Sequence, residues 1–379
     1  MFTENTVFVL GAGASWHYGY PTGEELVKEV IKKSEQLSHM WRKYPIWGNA
    51  TISDCVPEWI LQKLNSQRAN EGCGDAEWQK INLNLQEFTQ LLKLNNYLVI
   101  DYFLGHHPTY ADIGKWLISL VIMESTCKNI SQGLLPRAIE GKDWFQLIQA
   151  KITSGCVPGD VKKTIKNNQV RFITFNYDWS VERCLARLAN IELLGEDAKE
   201  WMEEDGRFIH IYGHIPYHVQ KEAVEYILKY KDFKYFESKS FFDLAWTASK
   251  NIRTIPETKS DNSDLLQKAK GIIKQANRVY ILGYGFDEEN NENLDLKNLL
   301  CYKENKHVFF TNYADHKRIN KRAARVFCLG GEDAFVGQML PHIKGRIEIA
   351  GLLSPEAGKP YYEKSIKNVY DALAYDFDL

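Results

Sequence analysis

Short apolar runs and longer stretches with helical spacing alternate along much of the chain. The short runs are rich in Val, Ile and Phe, and they end in glycine or polar residues. This pattern is typical of buried strands in a parallel sheet. The predicted strands are residues 6–10, 170–175, 207–212, 278–282 and 307–311.

Helical spacing follows the first strand and then dominates a long stretch. Over residues 23–37 the apolar positions lie on one face of a helix, and Thr22 and Glu25 form a capping box at its start. From residue 38 to residue 161 the strand pattern nearly vanishes, and polar breaks separate segments with helical spacing. We interpret residues 38–161 as a helical insertion subdomain.

Strands that alternate with helices predict an α/β fold, here a Rossmann-like parallel sheet with helices on both faces. The sheet domain comprises residues 1–37 and 162–350, on either side of the insertion. A tail of residues 351–379 follows. Its tyrosine and aliphatic residues have roughly helical spacing, so we expect a helix there.

The composition is that of an ordinary globular protein. The 379 residues are 44% hydrophobic and 25% charged, and a net charge of −2 gives no reason to expect nucleic-acid or anionic-membrane binding. The longest apolar run, residues 116–123, is too short for a membrane span, and because the first predicted strand begins at residue 6 we expect no signal peptide. Seven scattered cysteines form no CxxC pair, so we expect reduced thiols, no zinc site and a cytoplasmic protein.

The turn after the first strand is the first candidate for chemistry. It reads GAGAS over residues 11–15. Glycines directly after a strand let the backbone turn sharply and let its N–H groups approach a phosphate without a Cβ in the way. The third glycine of the full dinucleotide fingerprint is missing, because Trp16 stands in its place. A tight strand–helix turn that binds nothing is the alternative interpretation.

Further strand ends carry polar or glycine-rich turns. They are residues 176–178 (NYD), residues 213–214 with His210 just before them, residues 283–286 (GYGF), and Asn312. Because the carboxyl ends of parallel strands meet at one edge of a sheet, we expect these turns to border a common crevice with the glycine loop. Asn, Asp and Gly are also ordinary turn and helix-cap residues, so each turn taken alone has a purely structural alternative.

Together these blocks resemble the sirtuin fold. More narrowly, GAGAS, TFNYD, the strand that runs into YGH, and LGYGF followed by a strand ending in Asn resemble the sirtuin-like NAD-cleaving domains of bacterial anti-phage defence systems. The resemblance covers roughly residues 5–35 and 165–330. It implies that the glycine loop holds the NAD diphosphate and that a histidine near Gly213 is the catalytic base. The NAD-binding residues it implies are Gly11, Ala12, Gly13, Ser15, Asn176 by the nicotinamide ribose, and Gly283, Gly285 and Asn312 on the adenosine side.

The chain departs from the family at its histidine. The family usually has His directly before the glycine, where this chain has Tyr212. His210 and His214 flank this position, and two-residue spacing on a strand would place all three side chains on one face. We expect His210 to be the base, with His214 as the alternative, and a structural histidine is the other interpretation of either. Asp178 could place negative charge near a developing oxocarbenium ion, and a helix cap is its structural alternative.

The resemblance implies an NAD⁺ glycohydrolase that yields nicotinamide and ADP-ribose in abortive-infection anti-phage defence. NAD is then a substrate, and no metal or redox cofactor is expected. Sirtuin deacylases carry two zinc-binding CxxC pairs, which this chain lacks, and its insertion is much larger, so hydrolysis is favoured over deacylation. A protein deacylase or ADP-ribosyltransferase, and a non-catalytic module that senses NAD or ADP-ribose, are the alternatives.

Control of the activity is a further expectation. A hydrolase of NAD would harm its host if it were always active. We therefore expect a homo-oligomer or a regulatory protein partner. Some members of the family work with a hexameric DNA-translocating ATPase, which the resemblance makes a candidate partner.

Overall fold

A computed structural model describes most of the chain. The described residues are 1–43, 57, 59–60, 74–95, 99–129, 138, 141–155, 166–186, 188, 200–230, 236–261, 263–301, 303, 305–329, 346–348 and 361–377. Parts of the predicted insertion and of the predicted tail lie outside these ranges.

The described strands form one sheet. They are β1 (Thr6–Leu10), β2 (Val170–Thr174), β3 (Phe208–His210), β4 (Arg278–Leu282), β5 (His307–Thr311), β6 (Arg346–Glu348) and β7 (Tyr361–Ser365). Their spatial order is β3-β2-β1-β4-β5-β7-β6, and all are parallel except β6, which pairs antiparallel with β7 at one edge. Every residue of β1 is buried, so both faces of the sheet centre are covered. The predicted α/β, Rossmann-like sheet is confirmed.

The helices precede, connect and follow these strands. Within the described ranges, none is both long and apolar enough to cross a membrane. They are α1 (Ala12–Ser15), α2 (Gly23–Lys43), α3 (Gly74–Leu94), α4 (Ile100–His106), α5 (Ala111–Lys128), α6 (Trp144–Thr153), α7 (Ser180–Leu185), α8 (Tyr217–Tyr230), α9 (Lys239–Ser249), α10 (Ile255–Asp261), α11 (Ser263–Gln275), α12 (Glu288–Asn293), α13 (Leu296–Leu300), α14 (Lys317–Val326) and α15 (Val369–Asp371).

A row of stacked aromatic rings crosses the sheet. Phe8 in β1 lies opposite Phe172 in β2 and Tyr280 in β4, with ring centroids 5.4 and 4.8 Å apart. The row continues to Phe208 in β3 at 5.3 Å and to Phe309 in β5 at 4.7 Å. Matching positions of adjacent parallel strands share one face, so these rings join the central strands into one core and support their register.

The helical layer is organised around α5. This helix packs against α2, α8 and α9. The Trp116 ring of α5 stacks on Trp41 of α2 with centroids 6.2 Å apart, and its indole N–H donates to the Phe242 carbonyl of α9 at 3.0 Å. Because α8 and α9 follow β3, the layer is built from the insertion together with a later stretch of the chain.

Two predicted elements have different ends in the structure. The helix predicted over residues 23–37 continues to Lys43 as α2, and its capping box is present, since the Glu25 carboxylate accepts from the Thr22 backbone N–H at 2.8 Å. The strand predicted over residues 207–212 is shorter, because β3 ends at His210. Gly213, with φ of 74°, then turns the chain.

The prediction of a helical tail is wrong for residues 361–365, which form β7. This strand pairs with β5 in parallel, and the Asn312 N–H donates to the Ser365 carbonyl at 2.8 Å. Without it, β5 would present unpaired backbone groups at the sheet edge. Helical turns follow β7, in α15 and in the π-helical turn Ala372–Asp376. Residues 361–365 of the predicted tail therefore belong to the central sheet.

The expectation of reduced thiols is wrong for one cysteine pair. Cys301 follows α13, Cys328 follows α14, and the two form a disulfide with their Cα atoms 5.6 Å apart. A disulfide requires this proximity, which the spacing of the two cysteines along the chain does not reveal. Cys127 and Cys184 are buried and lie outside this disulfide.

The disulfide predicts two additional thiols on reduction. Alkylation of the denatured protein before and after reductant should differ at Cys301 and Cys328, as read by peptide mass spectrometry. Because the bond closes a loop of 27 residues, replacing both cysteines by serine should lower the free energy of unfolding by about 3 kcal/mol. This loss should disappear when wild type and variant are compared in reductant. Equal labelling before and after reduction would contradict the pairing.

The turn after β4 predicts a glycine-specific stability effect. Gly283 has φ of 58°, and a Cβ there would collide with the backbone of Gly13 and Ala14. Gly283→Ala should lower the free energy of unfolding by about 2 to 4 kcal/mol, through backbone strain and overpacking. Gly285→Ala is the matched control, because no heavy atom lies within 4 Å of its added Cβ, and its effect should stay within about 0.5 kcal/mol. Similar losses in urea unfolding of both variants would contradict this packing.

Candidate functional site

The candidate site lies where the strand order changes direction. From β1 the chain continues to β2 and β3 on one side, and β4 and β5 follow on the other side. In open α/β sheets, ligands bind at the carboxyl ends of the strands beside such a switch point. Here the switch point lies between β1 and β4, so the turns that follow these two strands are where this rule places a ligand.

Contact between these two turns explains their glycines. The Gly13 N–H donates to the Gly283 carbonyl at 3.0 Å, and the Gly11 N–H donates to the Leu282 carbonyl at 3.0 Å. A Cβ on Gly11 would lie 2.5 Å from the Gly283 oxygen, and one on Gly13 would lie 2.9 Å from the Gly283 Cα. Both N–H groups are thus used inside the protein, and a phosphate at this turn would depend on other donors. Ala12 and Gly13 remain half-exposed.

Asn176 is anchored directly on the glycine loop. Its Nδ2 donates to the Gly11 carbonyl at 3.0 Å and to Ser15 Oγ at 2.8 Å, and its backbone N–H donates to Thr174 Oγ1 at 3.0 Å. A carbonyl can only accept, so the amide nitrogen must face the loop. No described residue donates a hydrogen bond to Oδ1, which leaves this oxygen for a ligand hydroxyl. The structure therefore brings Asn176 together with residues 11–15.

Asp178 extends this network into α7. Its carboxylate accepts from the backbone N–H of Ser180 at 3.1 Å and from the hydroxyl of the same residue, and it is hydrogen-bonded to the Ser15 hydroxyl. Burial raises the pKa of Asp178, and these hydrogen bonds oppose the rise. Trp179, not Asp178, occupies the cap position of α7, so the carboxylate stabilises the turn before the helix.

Both ring nitrogens of His210 have partners. Nδ1 lies 3.1 Å from the backbone carbonyl oxygen of Asn176, and Nε2 lies 2.6 Å from Glu182 Oε1. Burial lowers the pKa of His210, but the Glu182 carboxylate and the Asn176 carbonyl raise it, and the net shift is upward. Sequence reasoning missed Glu182, which lies in α7 four residues after Asp178.

His214 contacts His210 but has a different environment. The two ring centroids are 4.5 Å apart, and His214 is half-buried. Burial and the neighbouring His210 lower the pKa of His214 to about 4, so its ring is neutral at neutral pH.

The expectation that residues 210, 212 and 214 share one face is wrong. β3 ends at His210, and the turn at Gly213 follows. Tyr212 is buried and its hydroxyl donates to Asn290 of α12, with Asn293 Nδ2 at 3.4 Å from the hydroxyl oxygen. The residue at the family's usual histidine position therefore contacts α12.

The glycines of the turn after β4 have unequal surroundings. The Gly283 N–H donates to Thr311 Oγ1 at 2.8 Å, which links the ends of β4 and β5. Gly285 is exposed, and its carbonyl accepts from Arg322 Nη1 at 3.3 Å. These backbone atoms border the switch point, where the resemblance places the adenosine side.

The Asn312 side chain is hydrogen-bonded within the turn that follows β5 and leads into α14. The residue is only 1% exposed. Its Nδ2 donates to the His316 carbonyl at 3.0 Å and to Asn320 Oδ1 at 2.8 Å, and its Oδ1 accepts from the His316 N–H at 3.1 Å. The side chain thus stabilises the start of α14 and has no polar atom left for a ligand.

The helical insertion contributes Asp101, which sequence reasoning also missed. The Tyr177 hydroxyl, from the NYD block, donates to the Asp101 carboxylate. Burial raises the pKa of Asp101 to about 6, and the charges of Asp287 and Glu289 add to the rise, while the Tyr177 hydrogen bond opposes it. No motif surrounds Asp101 in the sequence, so no local signal could have found it.

A recess of about 360 Å³ is bordered by the loop that leads from Ser15 to α2, by α2 and by α5. Asn176, His210 and His214 do not line it, so it is separate from the site described above. Residues that line the recess include Trp16, Tyr20, Glu29, Lys33, Glu124 and Lys128.

Among the described residues, no group of three or more His, Cys, Asp or Glu side chains is arranged to hold a metal ion.

The raised pKa of Asp101 predicts a pH-dependent stability. In the unfolded chain this group ionises near pH 3.8, and in the folded protein near pH 6. The folded state binds more protons between these values, so the free energy of unfolding should fall by about 2 to 3 kcal/mol as the pH rises through this window. In Asp101→Asn, whose amide oxygen can still accept from Tyr177, this fall should be absent.

Urea unfolding of wild type and Asp101→Asn between about pH 4 and pH 8 measures this effect. The difference between the two free energies should change across the window and be constant above it. A difference that is constant throughout would show that the Asp101 carboxyl does not titrate as its environment requires.

Comparison with known proteins does not assign this chain to a family. The sequence matches no protein-family model, and no curated protein matches it. A function for the site therefore has to be argued from its residues and from the resemblance of its motifs.

Proposed function

We propose that this chain is an NAD⁺ glycohydrolase that releases nicotinamide and ADP-ribose. The observation that carries the proposal is the Asn176 amide, fixed on the glycine loop at the switch point with Oδ1 left for a ligand. This is the position at which a sheet of this type receives a nucleotide. The resemblance of GAGAS and TFNYD to NAD-cleaving domains supports NAD as that nucleotide.

The chemistry of the reaction suits the residues around Asn176. Cleavage of the bond between nicotinamide and ribose builds positive charge on the ribose, as in glycoside hydrolysis. The Asn176 amide oxygen can orient a ribose hydroxyl, and the carboxylates of Asp178 and Glu182 supply negative charge nearby. A histidine can take a proton from the attacking water. Fixed geometry around a bound dinucleotide would supply a large part of the rate enhancement.

The proposal includes a role and a form of control. By resemblance, the activity would serve abortive-infection anti-phage defence in the bacterial cytoplasm. Uncontrolled loss of NAD would harm the host. We therefore include a homo-oligomer, or a partner such as a hexameric DNA-translocating ATPase, as the means of control.

A non-catalytic NAD or ADP-ribose sensor is the second candidate. Two observations favour it: Tyr212 replaces the usual histidine, and both ring nitrogens of His210 are already engaged. A protein deacylase or an ADP-ribosyltransferase would bind NAD at the same site but would require an acceptor peptide or protein.

Incubation with NAD⁺ alone tests the proposal. Wild type should release equimolar nicotinamide and ADP-ribose, as measured by chromatography, with candidate partners added if the isolated chain is silent. Asn176→Ala should reduce the rate by about 100-fold or more, because an oriented polar group in the site is lost. Asn298→Ala, at an exposed position of α13, is the matched control and should keep full activity.

The other candidates give different results in the same assay. Intact NAD⁺ that is consumed only when a peptide or protein acceptor is added would indicate a transferase or deacylase. Calorimetric binding of NAD⁺ without turnover would indicate a sensor. Either result would contradict the glycohydrolase proposal.

A further inference from the structure

Both ring nitrogens of His210 are already hydrogen-bonded, so neither is available to a substrate. Nδ1 faces the backbone carbonyl oxygen of Asn176 at 3.1 Å. Because a carbonyl oxygen can only accept a hydrogen bond, Nδ1 must keep its proton. The other nitrogen faces Glu182 Oε1 at 2.6 Å. Whichever of these two groups carries the shared proton, the lone pair of Nε2 is engaged. His210 is therefore held in place but is not free to accept a proton from water.

Glu182 is the group that stabilises this arrangement. The side chains of Glu182 and His210 are each 7% exposed, and no described residue donates to the second carboxylate oxygen, Oε2, which is buried. A buried carboxylate is costly unless an opposite charge lies close. The groups that face the His210 ring are Glu182, Asp178, His214 and the Asn176 carbonyl. The two carboxylates favour a cationic ring.

His214 touches the same ring and differs in the two properties that matter for a base. No described residue hydrogen-bonds its ring nitrogens, and it is half-buried where His210 is enclosed. A cationic His210 with its ring centroid 4.5 Å away disfavours a second proton on His214. A neutral imidazole with an accessible nitrogen is what activation of water requires.

We propose that Glu182 and His210 form a positioning pair and that His214 is the catalytic base, an inference that rests on the hydrolase function proposed above. In this reaction the bond between ribose C1′ and the nicotinamide nitrogen breaks, and its electron pair leaves with nicotinamide. The oxygen of a water molecule bonds to C1′. One proton of that water passes to His214 and from there to solvent. His210 holds the Asn176 turn and keeps its charge throughout.

Two glutamine variants distinguish the histidines. In His210→Gln the amide can replace part of the hydrogen bonding to Asn176 and Glu182 but cannot titrate, so nicotinamide release should fall only about three- to ten-fold. His214→Gln removes the base and should cost about 100-fold or more. Added imidazole should restore activity to His214→Ala but not to His210→Ala, because the latter site is enclosed. His218→Gln, an exposed histidine at the start of α8, is the control and should be unchanged.

Glu182→Gln tests the charge of the pair separately from its shape. The substitution keeps the volume and a hydrogen-bonding group but removes the carboxylate that favours a cationic His210. His214 then loses its cationic neighbour, so the acid limb of the pH profile of kcat/KM should move to higher pH. The KM for NAD⁺ should change little. A purely structural role for Glu182 would leave the pH profile in place.

The outcomes separate this inference from the function on which it rests. An active wild type with an inactive His210→Gln and an active His214→Gln would overturn the inference and leave the hydrolase standing. Equal large losses in both glutamine variants would also overturn it. A wild type that binds NAD⁺ without releasing nicotinamide would remove the function. The pair would then be judged by ¹⁵N NMR: a His210 ring that keeps both protons above the ordinary histidine pKa supports it, and loss of one at or below that pKa overturns it.

Discussion

The amide of Asn176 connects the ends of β1 and β2, and the geometry of the candidate site depends on it. Its Nδ2 donates to the Gly11 carbonyl and the Ser15 hydroxyl, while the backbone carbonyl of Asn176 faces His210 at the end of β3. The glycine loop is itself held by backbone contact with Gly283 after β4. Asn176 and the glycine loop together thus link polar groups from four strand ends, because the sheet places those ends side by side.

Burial makes this network specific and energetically demanding. Asp178, Glu182 and His210 are nearly inaccessible to solvent, so their charges have to be balanced by neighbouring groups. Glu182 Oε2 is buried and receives no hydrogen bond from the described residues. Buried unsatisfied groups of this kind are rare and are expected where a protein gives up some stability for function.

The helical layer is part of the same site. Asp101 reaches the NYD block through Tyr177, and burial beside Asp287 and Glu289 raises its pKa. A carboxyl group with a shifted pKa beside a crevice is a frequent property of functional sites. The insertion therefore contributes a buried carboxyl group beside Tyr177 as well as apolar packing around Trp116.

Local patterns in the sequence determined the strands that became β1 to β5, the turns at their ends, and the glycine loop, because strand periodicity and turn chemistry depend on adjacent residues. Tertiary structure decided the rest. It added β7 to the sheet and joined Cys301 to Cys328. It also hydrogen-bonded Asn312 to Asn320 of α14 and His210 to Glu182. Each of these outcomes depends on which side chains or backbone edges the folded chain brings together, and the spacing of residues along the chain does not encode that.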